Sequence, residues 1–223
     1  MKYPKINTLF KRDERNMIIP SEFTNDTFEY LKDNLWECTE KIDGTNIHID
    51  LSVELCHNVE MGINGRTESA IIPKHLLNKL NEIFNKEYLY NYFYKEEVST
   101  LNICIFGEGY GNKIQKGGNY ISNDVDFILF DVNINGIWLK RESIEQIAKD
   151  LNLKIVPIIG YMTIPEAIKY VSDGFKSTIS ENKEYMAEGL VLKTPIGLID
   201  RMGNRVVTKI KTVDFINYNK KQN

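Results

Sequence analysis

The sequence predicts an α+β fold, in which mostly antiparallel strands are interspersed with helices. Residues 45–54 alternate between apolar and polar side chains, as expected for a strand with one buried face. Residues 101–107 and 125–132 are apolar enough to form central strands, whereas residues 74–95 carry leucine, isoleucine and phenylalanine at helical spacing. These patterns set the fold class, and the other elements follow along the chain.

Turn signals and shorter patterns complete the series of elements. Asn64-Gly65 and Asn135-Gly136 are dipeptides that favour the tight turn of a β-hairpin, and the second has strand-like sequence on both sides. Pro165 suits the first turn of a helix. We therefore expect hairpins at both dipeptides, helices over 142–152 and 164–173, and strands over 188–194 and 204–211.

Length and composition indicate an ordinary folded protein. The chain has 223 residues, of which 42% are hydrophobic and 26% charged. No segment approaches the roughly 18 apolar residues of a membrane-spanning helix, and the N-terminus is too polar for a signal peptide. We expect no membrane partner and a single domain over 1–223, although two small domains would also fit this length.

The cysteines and the net charge indicate the cellular location of the protein and how it could bind nucleic acid. Cys38, Cys56 and Cys104 lie far apart and form no CxxC pair. An odd number of cysteines without a signal peptide predicts reduced thiols and a cytoplasmic location. The formal net charge is −3, so binding to nucleic acid would require a local basic site.

The first candidate for chemistry is Lys41, in the segment EKIDGTN over residues 40–46. This lysine comes just before an Asp-Gly turn that leads into the predicted strand over 45–54. An ammonium group is not a nucleophile, but it becomes one when desolvation or a nearby cation lowers its pKa. Taken alone, this segment is also compatible with a surface lysine beside a turn.

Further motifs follow in order, and together they carry a resemblance. They are Gly65-Arg66-Thr67, FGEGYG over 106–111, FILFDV over 127–132, AEGLVLK over 187–193 and Lys209-Ile210-Lys211. With the K-x-D-G-x-N segment that begins at Lys41, this ordered set resembles the covalent nucleotidyltransferases, namely the polynucleotide ligases and mRNA capping enzymes. DNA ligases usually carry arginine where this chain has Asn46, so the pattern is similar to that of the nick-sealing RNA ligases of phages and bacteria.

The resemblance implies an adenylyltransferase fold, with two antiparallel sheets flanked by helices and ATP in the cleft between them. It implies an ATP-dependent RNA ligase that uses Mg²⁺ or Mn²⁺. Lys41 would take AMP from ATP, AMP would pass to an RNA 5′-phosphate, and a 3′-hydroxyl would then seal the strand. Only twelve residues follow Lys211, so we expect no C-terminal OB-fold or helical domain, and either weak RNA binding or a partner protein that supplies it.

The resemblance also assigns roles to individual residues. The catalytic residues are Lys41, Lys209 and Lys211; the residues that bind ATP are Glu40, Ile42, Asn46, Arg66, Glu108, Phe130, Glu188, Lys209 and Lys211; the metal ligands are Asp131 and Glu188; and possible RNA contacts are Lys113, Gln115 and Lys116. The chemistry suits these roles, since carboxylates bind Mg²⁺ or ribose hydroxyls and a phenyl ring stacks on adenine.

Several alternatives stay open at this stage. Phe130 lies in an apolar strand and could belong to the core, and Phe127 is its rival for stacking on the base. Lys209 and Lys211 could form a solvated strand face, and the loop around Lys113 could be solvated too. The alternative functions are a minimal ATP-dependent DNA ligase, a capping guanylyltransferase and a non-catalytic protein that binds nucleotides or RNA ends.

Overall fold

The structure is a computed structural model that describes residues 1–53, 59–67, 69–94, 100–115 and 120–220. The strands are β1 (Asn7–Thr8), β2 (Phe10–Arg12), β3 (Ile18–Phe23), β4 (Trp36–Glu40), β5 (Thr45–Val53), β6 (Val59–Gly65), β7 (Leu101–Gly111), β8 (Val125–Ile134), β9 (Ile137–Trp138), β10 (Lys154–Ile155), β11 (Ile158–Met162), β12 (Gly189–Lys193) and β13 (Val207–Lys211). The helices are α1 (Asp26–Tyr30), α2 (Lys74–Ile83), α3 (Lys86–Phe93), α4 (Arg141–Asp150), α5 (Ile164–Asp173) and α6 (Thr212–Lys220).

The chain folds into two compact units. Unit 1 comprises Met1–Pro4 and Asp43–Ile155, and unit 2 comprises Lys5–Ile42 and Val156–Asn223. Each unit has a hydrophobic core of its own. The predicted α+β class, with sheets flanked by helices, is confirmed. That residues 1–223 act as one catalytic domain stays a prediction.

Unit 1 is built on a sheet with the strand order β10-β8-β7-β5-β6, and β9 pairs with β8. The predicted alternation of β5 is confirmed: Ile47, Ile49, Leu51 and Val53 are buried in the core with α2, α3 and α4. Residues opposed across an antiparallel pair share a face, so the alternate residues form a second, more polar face. We call this the polar face; its members on β5 and β7 include Asn46, His48, Asp50, Cys104, Phe106 and Glu108.

A β-bulge in β8 changes which residues reach the polar face. Phe106 pairs with Asp131 whereas Gly107 pairs with Leu129, so Phe130 is the extra residue. Phe127, Leu129 and then Val132 belong to the core of unit 1, which means that the parity of burial changes across Phe130. A bulge re-aims side chains in this way, and it brings Asp131 to the polar face.

Unit 2 contains a sheet with the strand order β1-β13-β12-β4-β11 and a separate β2-β3 pair. Its core packs residues of this sheet against α5 and α6. The two main sheets are antiparallel except at one edge of each, where the two-residue strands β1 and β10 run parallel to β13 and β8. The central strand β12 pairs with both β4 and β13, so it links the motifs that these strands carry.

Two local expectations were wrong. Asn64 and Gly65 do not form a hairpin turn, because both lie in β6 and pair with His48 and Ile47. The glycine is required there by packing, since a Cβ at Gly65 would lie 2.7 Å from the Cβ of Ala70. The single helix expected over 74–95 is divided into α2 and α3, because the Asn85 side chain accepts a hydrogen bond from the Tyr88 N–H and begins a new helix.

Other local expectations are confirmed. Asn135 and Gly136 have φ angles of +50° and +84°, as a tight hairpin turn requires, and they connect β8 to β9. The helix over 164–173 has the expected bounds, with Pro165 in its first turn and a capping box between Thr163 and Glu166. None of the helices in the described ranges has the length and apolar composition needed to cross a membrane.

Gly107 is fixed by packing inside unit 1, and this yields a test of the fold. A Cβ at this position would lie 2.2 Å from the ring of Phe127. We expect Gly107→Ala to lower the free energy of unfolding by about 1–3 kcal/mol, because the ring or β7 must shift. Gly62→Ala on β6 is the control, since its Cβ would meet only the side chain of Asn64, and should change stability by less than about 0.5 kcal/mol. Equal urea midpoints for the two variants would contradict this account.

Candidate active site

Lys41 lies directly after β4, within unit 2. Its N–H donates to the carbonyl oxygen of Gly189 at 2.9 Å, and the N–H of Glu40 donates to the carbonyl of Pro157 at 3.1 Å. The backbone at the lysine is therefore held by hydrogen bonds to the segments on both sides of it. The side chain of Lys41 keeps 20% of its surface exposed, so it is accessible to a ligand.

One carboxylate in unit 2 binds two lysines. The Nζ atom of Lys41 lies 2.5 Å from Oε2 of Glu188, and the Nζ atom of Lys211 lies 2.8 Å from Oε1 of the same residue. Only 15% of the Glu188 side chain is exposed, so these ion pairs are partly shielded from solvent. Residues from three of the predicted motifs thus meet at one carboxylate.

The position of Glu188 depends on the glycine that follows it. Gly189 has a φ of +150°, and a Cβ there would lie 2.0 Å from the carbonyl oxygen of Ile210. The N–H of Thr212 donates to the carbonyl of Glu188 at 2.9 Å. Only glycine therefore lets the chain approach β13 closely enough to place the carboxylate beside Lys211.

Lys209 and Lys211 lie two residues apart on β13 and therefore share a face. Both are half-buried. Lys209 pairs with Val191 of β12, and Lys211 pairs with Gly189. The contact of Lys211 with Glu188 favours a role in the site over a solvated strand face.

The carboxyl group of Glu40 is buried. Its Oε1 accepts a hydrogen bond from the Ser177 hydroxyl at 2.5 Å, and its Oε2 accepts two from Thr178, from the N–H at 2.8 Å and the hydroxyl at 2.7 Å. The residue is only 1% exposed. Its side chain is therefore engaged inside unit 2, so the ATP contact predicted for Glu40 would have to come mainly from its backbone.

The loop after Ile42 belongs to unit 1 and is held tightly. The N–H of Asp43 donates to the hydroxyl of Tyr120 at 3.0 Å, and Gln115 donates to the carbonyl of Gly44 at 3.1 Å. A Cβ at Gly44 would lie 2.4 Å from the carbonyl oxygen of Gly109. The glycine of the K-x-D-G motif is thus required for close approach to β7.

On the polar face of unit 1, Asn46 lies directly opposite Glu108 in the pairing of β5 with β7. The Oδ1 atom of Asn46 is buried and has no hydrogen-bond partner among the described residues. A buried polar atom without a partner is costly unless a ligand or water satisfies it. This orphaned acceptor fits a ligand that donates a hydrogen bond, and the hydroxyls of a ribose are such donors.

Tyr3 organises the part of the polar face near Phe130. Its hydroxyl donates to Oδ2 of Asp131 at 2.5 Å. Its ring makes edge contacts with Phe130 and Trp138 and a tilted contact with Phe106. Phe130 is half-buried on this face, whereas its rival Phe127 is 1% exposed and belongs to the core. The burial of Phe127 leaves Phe130 as the candidate for stacking on a base.

A comparison with protein families gives a match to RNA ligase over residues 34–211. The chain belongs to the RNA ligase family. The match spans the segment from Lys41 to Lys211, so the resemblance drawn from the order of the motifs is confirmed. No curated protein is similar enough in sequence to match.

Solved structures of an RNA ligase share the fold of this family member. A Naegleria gruberi RNA ligase mutant with ATP and Mn matches with a TM-score of 0.64 and 19% identity, over 98% of this chain and 63% of that one. The same ligase with PPi gives 0.60 and 20% over 98% and 64%, and a mutant with AMP and Mn gives 0.60 and 18% over 98% and 60%. The chain thus spans about three fifths of the length of these ligase structures.

The predicted metal ligands of this RNA ligase family member are Asp131 and Glu188. Asp131 is 1% exposed and accepts a hydrogen bond from Tyr3, so no contact here supports metal binding by this residue. Glu188 is accessible, but its two oxygens engage lysines. Within the described ranges, no three His, Cys, Asp or Glu side chains are grouped to hold a metal. A divalent cation bound by Glu188 would therefore need water or phosphate oxygens to complete its ligands.

The remaining predicted contacts are dispersed. Arg66 and Lys113 are exposed, and Lys113 has a φ of +58°. Gln115 binds the Gly44 carbonyl, which connects the predicted RNA loop to the loop after Ile42. Lys116 lies outside the described residues. The RNA contacts stay a prediction for this family member.

Sequence reasoning missed three residues that hold predicted site residues in place, namely Tyr3, Ser177 and Thr178. Ser177 and Thr178 lie 137 and 138 residues from Glu40 in the chain, and Tyr3 lies 128 residues from Asp131. No local pattern marks such pairs. One signal in the sequence does point to such a contact. Asp131 interrupts an apolar strand, and a buried carboxyl group needs a hydrogen-bond partner.

His48 is buried beside Asp50 on the polar face. Its Nδ1 lies 2.8 Å from Oδ2 of Asp50, and the Cys104 thiol donates to Oδ1 at 2.8 Å. Burial alone would raise the pKa of Asp50, but the close contact with the His48 ring and the hydrogen bond from Cys104 outweigh burial and hold that pKa well below its ordinary value. Burial, followed by the contact with Asp50, raises the pKa of Cys104 to about 11.

Asp50 should therefore stabilise unit 1 in a pH-dependent manner. Its lowered pKa in the folded state means that the stabilisation is present above the ordinary value near 3.9 and is lost as the pH falls further. We expect Asp50→Asn to lower the free energy of unfolding by about 1–3 kcal/mol at pH 7, with the gap narrowing below about pH 4. Urea unfolding at pH 7, 5, 4 and 3 measures this, and Asp33→Asn, at an exposed residue, is the control. A gap that does not change with pH would contradict it.

Proposed function

We propose that this protein is an ATP-dependent RNA ligase that forms a lysyl-AMP intermediate. The observation that carries the proposal is the arrangement of Lys41, Glu188 and Lys211, in which a partly exposed lysine at a strand end shares one carboxylate with a second lysine. The same residues stand in the ordered motifs that resemble the nucleotidyltransferases. The match to ligase structures with ATP, AMP and Mn shows a shared fold and is consistent with this reaction.

In the proposed first step, the Nζ atom of Lys41 attacks the α-phosphorus of ATP. A phosphorus–nitrogen bond forms, the bond from that phosphorus to the bridging oxygen breaks, and pyrophosphate leaves with the electron pair. The ammonium group of Lys41 loses one proton to solvent before the attack, which gives the neutral amine, and a second proton to solvent as the phosphoramide forms. The ammonium groups of Lys209 and Lys211, on one face of β13, are the cations we assign to the phosphates, since they stabilise charge that develops on the leaving group.

Glu188 is the carboxylate we assign to Mg²⁺ or Mn²⁺. When bound, the ion supplies neutralisation of charge on the phosphates. Both oxygens of Glu188 are engaged by lysines in this structure, so occupation of the site by ATP and a cation must change these ion pairs. Such a change would release Lys41 from its ion pair with Glu188 and leave its Nζ atom available to the α-phosphorus.

Unit 1 supplies the residues that we assign to the nucleoside. Phe130 offers a ring for adenine, and Glu108 offers a carboxylate for ribose hydroxyls. The unpartnered Oδ1 of Asn46 supports a hydroxyl-bearing ligand directly beside Glu108. Arg66 is assigned to phosphate or ribose oxygens because its guanidinium matches them in geometry.

In the later steps, AMP passes to an RNA 5′-phosphate, and a 3′-hydroxyl then displaces AMP as the strand is joined. The substrates we propose are therefore RNA ends with 5′-phosphate and 3′-hydroxyl groups. A net charge of −3 favours a partner that contributes cations to RNA binding. We propose a cytoplasmic location, because Cys38 and Cys104 are free thiols.

The direct test is covalent labelling. Incubation with α-labelled ATP and Mg²⁺ should label the protein on a denaturing gel, and the bond should be labile in acid and stable in base, as a phosphoramide is. Lys41→Ala should lose the label completely, whereas Lys169→Ala, at an exposed lysine of α5, should retain it. Label that persists in Lys41→Ala would overturn the assignment. Sealing of an RNA nick but not a DNA nick would separate an RNA ligase from a DNA ligase.

The role of the lysines on β13 gives a second test. Lys209→Ala and Lys211→Ala should each slow the formation of lysyl-AMP by about 100-fold, the typical loss when one group that stabilises developing charge is removed. Both lysine side chains are only half-buried, and in Lys211→Ala the Glu188 carboxylate keeps its ion pair with Lys41, so the free energy of unfolding should fall by less than about 1 kcal/mol. If either variant forms lysyl-AMP at the normal rate, the solvated strand face is the correct interpretation for that residue.

A further inference from the structure

The turn that contains Ser177 and Thr178 holds Glu40 and is not assigned by the function proposed above. Its three hydrogen bonds to the Glu40 carboxyl span 2.5–2.8 Å. Glu40 is the residue immediately before Lys41. A carboxyl group that is 1% exposed carries a large cost of desolvation unless its oxygens are satisfied, so this contact is a firm anchor for the end of β4.

The turn itself is held in place. The Ser177 hydroxyl accepts hydrogen bonds from the N–H groups of Ile179 and Ser180, both at 3.3 Å. The N–H of Ser177 donates to the carbonyl of Tyr185 at 2.8 Å. Ser177 is 4% exposed, so the same hydroxyl organises the turn and contacts Glu40.

The turn is also connected to the other partner of Lys41. The segment that begins at Phe175 runs back to Ala187, whose N–H donates to the carbonyl of Phe175 at 2.9 Å. Glu188 is the next residue. One short segment therefore holds Glu40, directly before the nucleophile, and leads into Glu188, which binds the nucleophile.

We propose that Ser177 and Thr178 are positioning residues for Lys41, acting through Glu40 to set the direction in which the lysine leaves β4. This inference rests on the proposed function, because it assumes that Lys41 attacks ATP. Attack requires near alignment of the reacting atoms, and a displacement of about 1 Å can cost about 100-fold in rate. The hydroxyl of Thr178 is the sharper probe, because this residue is exposed and its hydroxyl donates to Glu40.

The experiment measures single-turnover formation of lysyl-AMP over a range of ATP concentrations. Thr178→Val keeps the shape of the side chain and the backbone N–H but removes the hydroxyl. We expect its rate constant at saturating ATP to fall about 10-fold, with the half-saturating ATP concentration within about two-fold of the original. Thr178→Ser, which restores the hydroxyl, should recover most of the rate. Thr194→Val is the matched control, since the hydroxyl oxygen of Thr194 accepts from the Leu198 N–H at the far end of β12; its rate should not change.

The readouts separate positioning from folding. A merely structural role would lower the melting temperature and the fraction of molecules labelled, while the rate constant of the folded molecules stayed the same. A normal rate constant for Thr178→Val, or no recovery with Thr178→Ser, would overturn the positioning role while the proposed function stood. Absence of label from the unaltered protein would overturn the proposed function, and this inference with it.

Discussion

The carboxylate of Glu188 is the contact that holds the candidate site of unit 2 together, because it forms ion pairs with both Lys41 and Lys211. Two ammonium groups repel each other at short range, and a carboxylate that offers one oxygen to each converts the repulsion into attraction. Lys41 and Lys211 meet only because β12 lies between the strands that carry them. Glu188 in turn is held by Gly189, whose missing side chain permits the approach to β13. Two motifs far apart in sequence therefore act through one central strand.

The main sheet of unit 1 has one face buried in the core and a second, more polar face, to which we assign the nucleoside under the proposed function. Successive residues of β5 and β7 point to opposite faces, so these two strands form the buried face and the polar face together. The bulge at Phe130 then breaks the alternation on β8 and brings Asp131 to the face that Tyr3 covers. Since Tyr3 pairs with Asp131 and packs against Phe130, the aromatic residue assigned to adenine is held in place by a contact from the start of the chain.

The sequence predicted what depends on local patterns. The alternation of β5 and the capping of α5 are short-range features, and both agree with the structure. The order of the motifs located Lys41, Glu188 and Lys211, which do meet. Contacts such as Thr178 with Glu40 could not be predicted, because they join residues more than 100 positions apart. Asn64-Gly65 misled for a related reason: glycine there serves the packing of Ala70, and a dipeptide does not distinguish this from a turn.

The two units also differ in whether the groups assigned to the nucleotide already have partners. In unit 2, the groups assigned to chemistry are already paired, so binding must exchange existing ion pairs for new contacts with phosphate and a cation. Exchange of this kind yields little net affinity, because each new attraction replaces one that is lost. In unit 1, Asn46 presents a buried acceptor that has no partner in the described structure, and a donor from the ligand would remove that cost. Under the proposed function, a hydrogen bond from the ligand to Asn46 would therefore add binding energy, whereas the exchange of ion pairs around Glu188 would release Lys41 with little net gain in affinity.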